Sequence, residues 1–312
     1  MGVGPHEQVK KVLLRTDRPR VAASSSSLVR RIARKAAGLL PPAALRRLAA
    51  YRFGYTQEGR HFTFVEETGV EGVVRIDGRL SLRSTPEFLP DLRFHFVDNG
   101  QSRDEMGAFI DIAPTLPRGA MLFDVGAHRG LFSLVHCALS PDHRAVLFEP
   151  SPSLAKDARG LLALNRFDSR AEVRACGIGD RAGRRQIVED ALGFAVEAQG
   201  GAAGAEAIEF TTIDDEWRRT GVAPSIVKID VEGAEAEVVR GAAALLREAR
   251  PVLFLELHMD VLERRGESAA ALLAQLTAAG YRFTEPGGRS RSARSLSDSL
   301  RAIVRIVCVA DG

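Results

Sequence analysis

Hydrophobic positions divide the chain into three regions of different rhythm. Near the amino end Leu28, Ile32, Ala36 and Leu40 recur every fourth residue with Val29 and Ala33 beside them, while Arg30, Arg31, Arg34 and Lys35 fall on the other side. That spacing predicts a basic amphipathic helix stopped by Pro41-Pro42, and Ala43 to Tyr51, with Arg46 and Arg47, predicts a shorter one. From His61 to Asn99 the apolar residues come in strand-length runs: His61 to Glu66, Val73 to Ile76, Leu80 to Arg83 and Leu92 to Val97. Asp77-Gly78 reads as a two-residue hairpin turn, a register that puts Arg75 on one face with Val73, Leu80 and Leu82. A helix is expected from Asp104 to about Thr115.

Beyond Pro117 strand and helix alternate. Met121 to Val125, Ala145 to Phe148, Glu172 to Cys176, Ile226 to Asp230 and Val252 to Leu257 are continuous apolar runs, separated by helical segments such as Ala155 to Leu164 and Ala234 to Leu246. Continuous runs belong to strands covered on both faces, and the alternation predicts a parallel sheet. Tyr281 to Glu285 and Ile303 to Val309, joined by a Gly/Ser/Arg-rich link, break the rhythm and suit an antiparallel pair at one edge. The expected division is a basic helical arm at 1–60, a β-rich ancillary segment with its helix at 61–116, and an α/β domain at 117–312.

Composition narrows the partners. The net charge of +3 conceals 13 basic and three acidic side chains in residues 1–60, a local +10 that leaves the remainder at −7. The arm therefore suits phosphate, and weak contact with an anionic membrane through residues 28–52 is expected, while the acidic body argues against nucleic acid as a partner. Three scattered cysteines exclude a disulfide framework. Those cysteines make a cytoplasmic location the expectation, extending to the inner membrane face, and the absence of an apolar run of membrane-spanning length predicts a soluble body.

The chemistry begins where the strand Met121 to Val125 runs into Asp124-Val125-Gly126-Ala127-His128-Arg129-Gly130. Glycines at a strand-to-helix turn allow a ligand close to the backbone, yet His128 stands where the nicotinamide fingerprint G-x-G-x-x-G needs its second glycine. The next strand ends in Phe148-Glu149-Pro150, a carboxylate placed to accept hydrogen bonds from ribose hydroxyls.

Asp124-Val125-Gly126-Ala127 with Gly130, then Phe148-Glu149-Pro150, then Ile229-Asp230-Val231-Glu232-Gly233-Ala234-Glu235 resemble the signature of FkbM-type methyltransferases over roughly Leu122 to Leu257. The resemblance implies a class I Rossmann-like fold and S-adenosylmethionine as cofactor, commonly for O-methylation of sugars, polyketides and other small or glycan-linked hydroxyls. The cofactor-binding set is then Asp124, Gly126, Ala127, His128, Gly130 and Glu149. It extends to Ile178 against adenine and Asp180 on its amino group, after the third strand. His128 departs from the family, which usually has Asn there.

The same resemblance gives meaning to Asp230 with Glu232 and Glu256 with His258, each pair two apart and so on one face of an extended chain. Helix capping or solvated strand ends would also account for them. As catalytic groups, His258 is the expected base because an unperturbed imidazole titrates near 6.5, with Asp230 or Glu256 orienting it. The oxygen-rich set Asp230, Glu232 and Glu256 could alternatively bind a divalent metal. Asn165 and Thr212-Ile213-Asp214 read as structural, and Arg289, Arg291 and Arg294 as a solvated loop or a lid over an anionic substrate. A small molecule or glycan is the expected acceptor. Rival readings are a nicotinamide-dependent oxidoreductase and a non-catalytic cofactor-binding scaffold recruited to membranes.

Overall fold

The computed structural model describes Val9 and residues 55–57, 60–67, 71–76, 80–85, 87–189, 195–197 and 204–311. The two arm helices expected between Leu28 and Tyr51 lie outside the described residues.

A four-stranded antiparallel meander comes first: β1 (Tyr55–Gln57), β2 (Arg60–Glu67), β3 (Glu71–Ile76) and β4 (Leu80–Ser84). Its first strand begins inside the stretch assigned to the arm. Ile76 pairs with Leu80 and Val74 with Leu82, so three residues rather than two separate β3 from β4. This one-residue slip corrects the sequence register: Arg75 now stands opposite exposed Ser81, and the buried Leu80 and Leu82 face apolar positions.

Leu92 to Val97 is not a strand. It is covered by helix α1 (Leu89–Arg93) and a π-helical turn, Phe94–Asp98. The reason is visible in Phe88, Leu92 and Phe96, all buried and four apart, which is helical spacing. Helix α2 (Gly100–Ile112) follows, capped by the Asn99 side chain on the backbone N–H groups of Gln101 and Ser102.

The main body is an eight-stranded sheet. In spatial order it comprises β7 (Ala171–Arg174), β6 (Arg144–Phe148), β5 (Met121–Val125), β12 (Ile226–Ile229), β13 (Val252–His258), β16 (Ile303–Ala310), β14 (Tyr281–Thr284) and β15 (Ser290–Arg291). The first five are mutually parallel, and β16 runs antiparallel between β13 and β14. This is the expected parallel sheet with its antiparallel strand near one edge, in the Rossmann-like class.

Both faces are covered, which is why β5, β12 and β13 are buried along their whole length. Leu122 and Phe254 pack with α2 and with α3 (Leu131–Leu139) on one side; Phe123, Leu253 and Leu255 pack on the other with α6 (Glu235–Arg240), α7 (Ala243–Glu248) and α9 (Ala269–Ala278). The helix expected from Ala234 to Leu246 is broken between α6 and α7. Gly241 lies so close to the backbone of Gly179 that a Cβ there would be 2.1 Å from the Gly179 carbonyl oxygen.

A second four-stranded sheet was not anticipated. Strands β8 (Gly177–Ile178), β9 (Gly183–Glu189), β10 (Ala195–Glu197) and β11 (Glu206–Thr211) stack in the order β10-β9-β11-β8. Its segments are rich in Arg, Gln and Glu and carry no apolar run to reveal them.

Candidate active site

The site lies at the carboxyl edge of β5, β6, β12 and β13, the central crevice where open α/β sheets hold ligands. Val125 pairs with Ile229, which in turn pairs with Leu255, so the residues just beyond these strands are neighbours. The turn after β5 is tied down by backbone bonds: the N–H groups of Gly126 and Ala127 donate to the Phe148 carbonyl at 2.9 and 3.1 Å, and that of Asp230 donates to Val125 at 3.0 Å.

The glycines of this turn serve the chain itself. Gly126 has φ +74°, and a Cβ there would lie 1.7 Å from the Asp230 carbonyl oxygen; at Gly130, φ +79°, it would lie 2.6 Å from Leu147 Cδ2. The packing of the chain on itself therefore requires glycine at both positions, a demand the sequence reading did not include. His128 also has a left-handed backbone, φ 51°. Its N–H donates to Glu149 Oε2 at 2.7 Å, while Glu149 Oε1 accepts from the Ser151 N–H at 2.9 Å. Asp124 turns into the first turn of α3, where its Oδ2 accepts from Ser133 N–H and Oγ–H at 3.1 and 2.7 Å. Burial pushes its carboxyl up to about 6 against the pull of those bonds.

Beside the turn is a cavity of about 50 Å³ lined by His95, His128, Phe132, Lys228 and Asp230 among others. It holds a few water-sized groups. Arg129 closes one side, its guanidinium 2.9 Å from Asp91 and 3.1 Å from Asp157.

Behind the cavity runs a buried charge network. The Lys228 ammonium is 3.1 Å from Glu105, 3.4 Å from Asp230 and 3.7 Å from Glu256, and rests 5.0 Å from the centre of the Phe132 ring. Arg305 on β16 is 2.6 Å from Glu256 and 3.2 Å from Glu105. Burial pulls the Lys228 pKa down, but Asp230, Glu105 and Glu256 hold it above the ordinary lysine value. The Asp230 carboxyl is held below its usual range: burial opposes ionisation, and Lys228, His258 and Arg305 overcome it. For Glu256, burial and then the neighbouring Asp230 push upward against the pull of Lys228 and Arg305.

His258 is bonded on both sides. Nδ1 lies 2.8 Å from Glu235 Oε1, and Nε2 lies 3.2 Å from Glu232, 3.8 Å from Glu256 and 4.0 Å from Asp230. Burial disfavours the cation, yet the Glu235 bond and the surrounding carboxylates raise its pKa to about 9. Glu232 does not cap α6, whose first residues carry no side-chain cap. It sits at φ 51°, outside extended backbone.

Asp230, Glu256 and His258 each offer an atom within 4.8 Å of the others and so could hold a metal ion, with His258 in the place expected of Glu232. Lys228 and Arg305 already supply positive charge to both carboxylates. Ile178 and Asp180 are not brought to the cavity. Ile178 is buried in the apolar layer under α6 and α7, and Asp180 lies 3.4 Å from both Arg185 and Arg240. Arg291 is anchored by Glu285 and Ser295, whereas Arg294 is exposed. Asn165 links β4 to α4 (Pro152–Leu164) through Arg83, and Asp214 accepts from the N–H groups of Ala244 and Leu245, both structural as read.

Sequence reasoning missed Asp91, His95, Glu105, Lys228 and Arg305. Lys228 and Arg305 carried a signal, each as the one charge inside an apolar run, Ile226 to Ile229 and Ile303 to Val309.

A stretch of 147 residues is 33% identical to the AMB antimetabolite synthetase AmbE of Pseudomonas aeruginosa, taking in 45% of this chain and 6% of that protein, so the chain spans a small part of this relative's length. Among solved structures, a methyltransferase FkbM from Methylobacillus flagellatus is similar at 16% identity and a TM-score of 0.40, covering 72% of this chain and 59% of that one. Precorrin-6y C5,15-methyltransferase from Geobacter metallireducens is similar at 16% identity and a TM-score of 0.37, covering 69% and 91%. The model of the methyltransferase FkbM domain matches residues 124–283, half of the chain, spanning the turn after β5, Glu149 and the Asp230–His258 edge. The chain belongs to the FkbM methyltransferase family.

Proposed function

We propose that the protein transfers a methyl group from S-adenosylmethionine to a hydroxyl on a sugar, glycan or small secondary metabolite. The observation that carries this reading is the ring of carboxylates at the carboxyl edge, Glu149 after β6, Asp230 after β12 and Glu256 on β13, around one turn. Bound there, the cofactor would supply a methyl on a cationic sulfur.

The donor set fits such a group. The Glu149 carboxylate accepts the two backbone N–H bonds named above and is the acceptor type to which a ribose hydroxyl donates. Asp230 lines the cavity and is held ionised, which favours a cation there. His258, cationic and clamped by Glu235 and Glu232, orients the carboxylates rather than offering a lone pair. A divalent metal is not needed for this arrangement, because Lys228 and Arg305 neutralise its acids. The nicotinamide reading is weaker, since the second fingerprint glycine is replaced by His128.

Calorimetry with S-adenosylmethionine and with NAD⁺ tests the reading, followed by transfer of labelled methyl to a panel of glycosides and hydroxylated metabolites. Saturable binding of NAD⁺ alone would overturn it, and cofactor binding without transfer would favour the scaffold. We also retain, for residues 28–52, weak contact with the anionic inner membrane face; equal sedimentation of full-length and arm-truncated protein with anionic vesicles would remove it. Among the described residues no helix is long and apolar enough to cross a membrane.

A further inference from the structure

Methylation of a hydroxyl releases a proton, and the group that receives it needs an available lone pair. At the sheet edge the polar groups are already engaged: His258 at both nitrogens, Asp230 with Lys228, and Glu256 with Arg305.

His95 differs from all of them. It stands on the π-helical turn Phe94–Asp98, closed by the Asn99 N–H donating to the Phe94 carbonyl at 3.1 Å. Such wide turns are rare and recur at functional sites. The ring is held edge-on by Phe94 at 5.2 Å and Phe132 at 6.1 Å between ring centres. It lines the cavity together with Asp230, Gly126 and His128, and its Nδ1 is shut off from solvent with no hydrogen-bond partner among the described residues. A buried polar atom without a partner calls for an explanation, and one that lines a cavity is placed to bond a group that enters it. The groups that bear on it are Lys228 and Asp230 from the end of β12, Arg305 from β16 and His128 from the turn. Burial first and Lys228 second lower its pKa to about 4, so the imidazole is neutral near pH 7.

We propose that His95 is the catalytic residue that accepts the proton of the incoming hydroxyl, an assignment that rests on the methyl-transfer reading above. The hydroxyl oxygen bonds to the methyl carbon as the carbon–sulfur bond breaks and its electron pair passes to sulfur. The hydroxyl proton goes to the Nδ1 lone pair. The resulting imidazolium is disfavoured by Lys228 and Arg305 and returns its proton to solvent as the product leaves.

Methanol is a hydroxyl small enough for the cavity, so it serves as the probe. The full chain, labelled with ¹⁵N-histidine and saturated with S-adenosylhomocysteine, is titrated with methanol and followed by nitrogen NMR at pH 7. The His95 peak is assigned by its loss in H95N or, should that variant fold poorly, in H95Q. The expected result is an unbonded Nδ1 resonance that moves saturably toward the hydrogen-bonded position while the His258 resonances stay in place. An unmoved His95 nitrogen, or a His95 that is already imidazolium, would overturn the assignment while leaving methyl transfer standing. Failure of S-adenosylhomocysteine to bind by calorimetry would instead remove the methyl-transfer reading and this one with it. With an acceptor from the labelled-methyl panel, His95→Ala should lower kcat roughly 10²–10⁴-fold with cofactor affinity within about twofold; an unchanged kcat would count against it.

Discussion

The carbonyl oxygen of Asp230 occupies the space in which residue 126 would carry a side chain: a Cβ built on Gly126 would lie 1.7 Å away. The turn after β5 and the acid after β12 are thus in backbone contact, and the glycine is a condition of that contact.

Gly126→Ala should therefore fail as a folding variant before it fails as a binding variant. The clash is with backbone and φ is +74°, so neither rotamer change nor local relaxation removes it. Gly130→Ala meets the flexible end of Leu147 instead and should be milder, though still strained at φ +79°. Thermal unfolding of the two variants checks the order; equal melting temperatures would contradict it.

Glu149→Ala removes the acceptor for the His128 and Ser151 N–H groups as well as any for ribose. Cofactor affinity should drop by about 1.5–3 kcal/mol, the usual worth of hydrogen bonds to a charged acceptor. Glu149→Gln, which keeps one carbonyl oxygen, should lose less. Calorimetry with S-adenosylmethionine measures both.

Lys228→Met leaves Glu105, Asp230 and Glu256 close together without their shared cation. Destabilisation of about 3–5 kcal/mol is expected, typical of a buried pair broken on one side. Adding Glu105→Gln should restore part of it, because the orphaned charge is then gone. Urea unfolding of the single and double variants supplies the comparison.

His258 contributes a pH dependence of definite sign. Its folded pKa, about 9, lies above the unfolded value of 6.5, so its contribution is complete below 6.5 and is lost as pH rises through about 9. The full span corresponds to about 3 kcal/mol. His258→Gln should flatten that decline, and urea midpoints at pH 6, 7.5 and 9.5 would reveal it. A wild-type stability that increases over this range would show that the imidazole is not held as the cation.

Much of this site was legible where the chemistry sits beside a strong local pattern. Met121 to Val125 forms the strand its apolar run implies, and Asp230, Glu256 and His258 converge because the runs preceding them become adjacent parallel strands. The extended backbone assumed for Asp230-x-Glu232 fails at Glu232, φ 51°, yet the carboxylate still reaches His258. Glu105, Lys228 and Arg305 could not be grouped by spacing, since only the insertion of β16 beside β13 and the packing of α2 bring them together. His95 was hidden for another reason. Its segment reads as an alternating strand, and the helical spacing of Phe88, Leu92 and Phe96 decides otherwise once the core forms.

The position of β16 also sets an order of events during synthesis. Glu256 and Glu105 emerge from the ribosome well before Arg305, so a nascent chain that has made β13 carries Glu105, Asp230 and Glu256 beside Lys228 and His258, without the guanidinium that later pairs with Glu105 and Glu256. Since β16 inserts between β13 and β14, the sheet must also leave a gap beside β13 until that strand arrives. A ribosome-bound chain stalled before residue 303 is consequently expected to keep the β13 edge open and protease-sensitive, and to close it only when the last strand is released.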